Sequence, residues 1–360
     1  MAVLALLGGR AWGADADHVI LISLDGCRGD MLASMLAQDT SGQLANFRRF
    51  VDEGATTFNA RTDYANTVTL PNHTSMLTGR PVLQPATQPN TVHHGYTDNG
   101  DPRPNVTLHN SGNPNLSYVA SVFDVAHDAG LSTALYASKS KFFLYERSYD
   151  AAHGAPDTSM PDHGTDKIDR YVNLSPAAMH AALLTEMAAN DYAYCFVHYA
   201  DLDDVGHGAG WGSASWQAAL RTVDDYLGDI FLLVTTDAGL TGRTVIVLTS
   251  DHGGVGTGHS NAALVENYTI PVLVWGAGVA RGADLYALNP SSRQDPGTSR
   301  PDYNAPLQPV RNGDTGNLTL RLLGLASVPG STLNDGQDLL AAFPIPVRST
   351  GWTGVKMRFR

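Results

Sequence analysis

Three nearly unbroken apolar runs, each closing on aspartate or histidine, constrain this chain more than any other feature. The first is His18-Val19-Ile20-Leu21-Ile22-Ser23-Leu24, and it runs into Asp25-Gly26. The second, residues 193–199, leads into Asp201-Leu202-Asp203-Asp204-Val205-Gly206-His207. The third, residues 244–250, leads into Asp251-His252-Gly253-Gly254 and then His259. A strand that is apolar at consecutive positions buries both faces, which requires a sheet covered by helices on either side. Helical spacing between the runs supplies that cover: residues 44–53, 118–129, 177–189, 214–233 and a late helix around 318–323. The helix at 177 opens on Ser175-Pro176, a good start signal. Further strands are expected at 56–61, 132–138 and 269–275, and a short helix after Thr69. The fold class is therefore α/β, a three-layer αβα sandwich around a mixed, mostly parallel sheet.

With 360 residues, 43% of them hydrophobic, the chain can bury a full core. Residues 17–343 read as one catalytic domain with polar inserts near 81–115, 153–166 and 288–314, long enough to roof a site. Residues 1–16 read as the back half of a signal peptide cut after Ala16, which places the chain in a secreted or periplasmic setting. A disordered tail is the other reading of that segment. No later stretch reaches the ~20 apolar residues of a membrane span. Residues 344–360 are a mildly basic tail with no assigned role. The two cysteines, Cys27 and Cys195, sit in or beside apolar strands outside any zinc pattern and read as buried thiols.

A net charge of −12 excludes a protein that grips nucleic acid through its phosphates, so no nucleic-acid groove is expected. An enzyme of anionic phosphates with this balance needs cations at its site, and bound metals can provide them. Ligands of open α/β sheets bind beyond the carboxyl ends of the strands, where all three clusters fall. A single aspartate after a strand is commonly a cap on the next helix, but three coincident clusters point to one site. Carboxylate oxygen combined with imidazole nitrogen suits zinc or manganese better than calcium. Asp203 and His207 can meet across a tight turn at Gly206, while the adjacent Asp251 and His252 point different ways. In Asn66-Thr67-Val68-Thr69-Leu70-Pro71-Asn72-His73 a hydroxyl stands two residues before a proline, at the expected start of a helix. By itself Thr69 suits an ordinary N-cap. Beside metal clusters it suits a nucleophile whose alkoxide a cation stabilises.

These motifs resemble the alkaline phosphatase superfamily, especially its type I phosphodiesterase/nucleotide pyrophosphatase branch. Leu24-Asp25-Gly26-Cys27-Arg28-Gly29-Asp30 is similar to that branch's first-strand motif, and Thr69-Leu70-Pro71-Asn72-His73 to its nucleophile motif. Asp203 to His207 and Asp251-His252-Gly253 are similar to its later metal motifs. The resemblance implies two divalent metal ions, zinc first and manganese second. Asp25, Thr69, Asp251 and His252 would hold one, and Asp203 and His207 the other. It also implies that Asn72 donates a hydrogen bond to a phosphoryl oxygen and that Thr69 forms a covalent phospho-threonine. The branch places the last ligand of the second metal far toward the C-terminus. This chain has no histidine after His259, so His259 takes that role, as in some sulfatase-like and phosphoethanolamine-transfer members.

Other residues rank below these. His198, inside a strand, reads as a packed core residue, His93 and His94 as surface loop, Lys139 and Lys141 as a solvated pair. The glycines of 253–258 shape the turn to His259. The expected activity is metal-dependent hydrolysis of a small phosphate ester or nucleotide, by a phosphodiesterase first. A phosphomonoesterase, a sulfatase-like hydrolase and a metal-stabilised binding protein are the alternatives. Oligomeric state has no signature here.

Overall fold

The computed structural model describes residues 16–157 and 164–342. Most of the leader-like segment, the tail from 344 and the centre of the 153–166 insert lie outside the described residues.

Eight strands form one sheet in the order β4-β3-β5-β1-β6-β7-β2-β8. They are β1 His18–Leu24, β2 Ala55–Arg61, β3 Thr133–Ala137, β4 Arg170–Asn173, β5 Tyr194–Tyr199, β6 Thr244–Thr249, β7 Thr269–Gly276 and β8 Ala283–Asp284. β1 lies between β5 and β6, parallel to both, and β7 runs antiparallel to β6 and β2. The sheet is thus mixed and mostly parallel, as the apolar runs require.

The two-residue alternation of each strand divides its side chains between two cores. Val19, Leu21, Phe196, Val245 and Val247 face one, where the helices α3 Thr69–Thr78, α4 Leu108–Ser111, α5 Val122–Asp128, α6 Phe143–Ser148, α11 Leu285–Leu288 and α12 Asp314–Leu322 pack. Ile20, Ile22, Cys195, Val197, Ile246 and Leu248 face the other, under α1 Gly29–Gln38, α2 Ala45–Glu53, α7 Pro176–Asn190, α8 Asp201–Ala209 and α9 Ala214–Thr236. The short α10, Val265–Tyr268, leads into β7. Ile22 sits opposite both Val197 and Leu248 and is fully buried. Truncating it to alanine should cost about 2–5 kcal/mol.

Local signals account for the helix ends. Ser121 caps α5 and exchanges bonds with Asp124, so the helix starts at Val122 and not at 118 as the periodicity suggested. Pro176 occupies the first turn of α7 after Ser175. Both cysteines are buried and free, as expected. The register places the carboxyl ends of β1, β5 and β6 side by side: Leu24 pairs with Tyr199 and Ser23 with Thr249. Among the described residues no helix is long and apolar enough to cross a membrane.

Candidate active site

One step beyond those ends the acidic and imidazole side chains converge in two groups. Asp25, Asp251 and His252 form one, and Asp203, His207 and His259 the other, each with ligand atoms within 4.8 Å of one another. In the first, His252 Nε2 lies 3.3 Å from Asp25 Oδ1 and 3.2 Å from Asp251 Oδ2. In the second, Asp203 Oδ1 lies 3.4 Å from His207 Nε2 and 3.7 Å from His259 Nε2. The groups adjoin, with His252 Nε2 at 3.9 Å from Asp203 Oδ1. Asp203 and His207 reach each other from one helix, α8, at a separation of four residues. The expected tight turn at Gly206 is replaced by helix, which aligns the two side chains on one face.

The donor set fits divalent ions. Asp25 Oδ1, Asp203 Oδ1, Asp251 Oδ2 and His252 Nε2 are buried without a hydrogen-bond partner, a costly arrangement for polar atoms unless a cation takes them. Each histidine pairs Nδ1 with a backbone carbonyl: His252 with Gly253 at 2.8 Å, His207 with Thr257 at 2.9 Å, His259 with Thr67 at 2.6 Å. A proton on Nδ1 leaves Nε2 as the lone-pair donor, the usual way a protein orients a metal-binding imidazole. The charges tell the same story. Burial, then the neighbouring Asp25, pushes the Asp251 carboxyl far above the carboxylate range. Burial opposes charge on His252, yet Asp251 and Asp25 lift it to about 9.

Thr69 begins α3 and is almost fully buried. Two residues before it, Thr67 O pairs with His259 Nδ1, and one turn after it, His73 Nδ1 lies 3.7 Å from Asp251 Oδ2. The residues flanking Thr69 are therefore tied to a member of each group. The N-cap residue Val68 is extended and has no side-chain cap, and the Leu70 N–H is taken by Asn99 Oδ1 at 2.9 Å.

The family model for type I phosphodiesterase / nucleotide pyrophosphatase matches residues 19–313. The chain belongs to that family. Among curated proteins it is similar to GPI ethanolamine phosphate transferase 1 of Mus musculus, 28% identical over 139 residues, which is 38% of this chain and 15% of that protein. The Homo sapiens protein of the same name is 28% identical over 145 residues, again 38% and 15%. The matched region thus spans only about 15% of the length of these relatives. Among solved structures, murine ectonucleotide pyrophosphatase / phosphodiesterase 5 superposes with a TM-score of 0.59 at 15% identity, covering 89% of this chain and 99% of that one. A 2-O GAG sulfatase superposes with a TM-score of 0.53 at 10% identity, covering 88% and 72%. At such identities the likeness is one of fold.

Against this type I phosphodiesterase background several sequence expectations need correction. Lys139 is no solvated residue. Its Nζ lies 2.6 Å from Asp25 Oδ2 and 2.5 Å from Asp203 Oδ2, bridging one ligand of each group while leaving their Oδ1 atoms to the imidazoles. Burial opposes its charge, but Asp25 and Asp203 outweigh it and hold the ammonium above the usual lysine range. Lys141 is half-buried and donates to Asn99 O at 2.7 Å. Asn72 is buried with both amide protons committed, to Asn66 O at 3.0 Å and Val68 O at 3.1 Å. Its Oδ1 accepts from Asp63 N and from Asn312 Nδ2, which also reaches Ser250 O and Asp251 O. A bond from Asn72 to a phosphoryl oxygen would exchange for one of these, which otherwise tie the Thr69 loop to the end of β6. His94 is buried as well, against Ser75 and Tyr96, and burial pushes it down to about 3. The sequence made it a surface loop residue.

His198 is packed in the interior, as expected, against Phe142 at 4.2 Å between ring centres. It also does something the sequence left out, placing Nε2 3.0 Å from Asp25 Oδ2. The signals were present in both cases. Lys139 follows the end of β3 as Asp25 follows β1, and His198 is a polar residue one step from the end of an apolar strand.

Proposed function

We propose that the chain is a two-metal hydrolase of phosphate esters with Thr69 as its nucleophile, acting first on phosphodiesters or pyrophosphates. The carrying observation is the meeting of six Asp and His ligand atoms in two groups, tied through Thr67 and His73 to the segment that carries Thr69. Asp25, Asp251 and His252 with Thr69 would hold one divalent ion, and Asp203, His207 and His259 the other. Zinc is the first expectation and manganese the second. Bound there, the ions lower the pKa of the attacking hydroxyl and offset charge on the departing oxygen.

The chain's own residues do the rest. Thr69 Oγ loses its proton to solvent and forms a bond to phosphorus as the bond to the leaving alcohol or phosphate oxygen breaks, that oxygen taking a proton from water. A water molecule then attacks phosphorus and breaks the Oγ–P bond, restoring the hydroxyl. His73 and Asn72 fix the loop and first turn that aim Thr69. Asn99 Oδ1 accepts the Leu70 N–H and so helps to fix the start of α3. Residues 1–16 support a secreted or periplasmic location, which N-terminal sequencing of the exported protein would test.

A second reading, hydrolysis of monoesters, is favoured by Lys139 and Lys141. They bring two positive charges toward the centre, and a dianionic phosphoryl group gains more from them than a monoanionic diester. The test is a panel of bis-nitrophenyl phosphate, nitrophenyl phosphate and nitrophenyl sulfate, each with metal and with chelator. A diester preference abolished by chelator supports the first reading, and a monoester preference the second. No turnover of any ester with both ions loaded would sink the enzyme and leave a metal-stabilised binding protein.

A further inference from the structure

We infer that Trp211 is the positioning residue that holds the three ligand-bearing segments in register, an inference that rests on the two-metal reading. Its indole is buried, only 8% exposed, between three glycines that belong to three different segments. Gly26 follows Asp25, Gly206 precedes His207, and Gly254 stands two residues after His252. A Cβ added at these positions would lie 3.2 Å, 2.6 Å and 2.1 Å from atoms of the Trp211 ring.

Backbone conformation explains only the first of these glycines. Gly26 has φ +76°, but Gly206 is helical and Gly254 is not among the positive-φ residues. At Gly206 and Gly254 the nearest atoms to an added methyl all belong to Trp211, so the ring itself demands glycine there. Two hydrogen bonds lock it. Nε1 donates to Gly26 O at 2.8 Å and the backbone N–H to Gly256 O at 2.9 Å. The same ring meets His207 edge-on at 5.4 Å and lies 6.0 Å from His259. One rigid slab therefore touches the Asp25 loop, α8 and the 252–259 turn, which between them carry five of the six Asp and His ligands, the sixth, Asp251, directly preceding that turn. The Asp203–His207–His259 group leans on it most, since two of its three side chains contact the ring.

The test uses the full chain and measures metal binding directly. Trp211→Phe and Trp211→Leu should weaken binding of Zn²⁺ or Mn²⁺ to the Asp203 group by roughly 10–100-fold, the range for groups that support metal ligands. Manganese quenching of tryptophan emission should lose its Trp211 component in both variants, with far-UV circular dichroism unchanged. Gly206→Ala gives an independent arm. In an ordinary helix that change is favourable, but here it drives a methyl into the ring and should lower metal affinity, and Trp211→Leu in the same chain should restore part of it. A Gly206→Ala protein, or a folded Trp211→Leu protein, that binds metal as the parent does overturns the inference. Failure of the parent chain to bind two ions overturns the two-metal reading instead, so the two failures are distinct.

Discussion

Replacing Lys139 by methionine keeps the length of the side chain and removes the charge between Asp25 and Asp203. The ammonium is 2.6 Å and 2.5 Å from their Oδ2 atoms, with the two carboxylates 0% and 5% exposed and the lysine side chain 15%. At an effective dielectric near 20, each contact is worth roughly 6 kcal/mol before desolvation is subtracted. Removing one partner of such a buried pair costs about 3–5 kcal/mol, because the carboxylates keep their burial and lose their counter-charge. Urea unfolding in chelator should show that loss for Lys139→Met. With Zn²⁺ or Mn²⁺ saturating, ions bound through the Oδ1 atoms offset the same carboxylates, and the loss should shrink by about 2 kcal/mol. The thermodynamic cycle then requires the variant to bind the ions roughly thirtyfold tighter than the parent, which competition with a chromogenic chelator reads directly. Equal destabilisation in both buffers with unchanged metal affinity would refute the idea that lysine and ions share these two carboxylates.

Other outcomes follow from the same geometry. Thr69→Ala should lower turnover of any ester substrate by at least about 10²–10⁴ and abolish covalent labelling by radioactive phosphate, while Thr69→Ser keeps part of both; near-parental turnover of the alanine variant would rule out the covalent route. Asn72→Ala removes two bonds to the loop before Thr69, so kcat should fall more than KM rises, with metal stoichiometry unchanged in mass spectrometry. Burial holds the folded His94 at about 3, below its unfolded value near 6.5. Its contribution is therefore present above pH 6.5 and is lost as pH falls toward 3, by up to about 1.4 kcal/mol per pH unit. His94→Gln should flatten the fall in unfolding free energy between pH 6.5 and 4.5; an unchanged slope would place the titration elsewhere.

The local chemistry of the chain determined a great deal. Short runs of consecutive, β-branched-rich apolar residues suit a strand buried on both faces, so β1, β5, β6 and β7 were legible within a residue or two of their ends. A polar residue beyond such a strand emerges at the carboxyl end of the sheet, which made the Asp25, Asp203–His207 and Asp251–His252 clusters legible, while His259 was assigned through the family resemblance. What tertiary structure alone decided is which neighbours those ends would meet. The strand order β4-β3-β5-β1-β6 sets Lys139, 114 residues from Asp25, against its carboxylate and points His198 at the same oxygen. It also spends the amide protons of Asn72 on its own loop and buries His94 against Ser75 of α3. No local pattern carries that information, because hydrogen-bond partners and burial at a loop are fixed by the packing of segments distant in sequence, whereas strand and helix periodicity is written into adjacent residues.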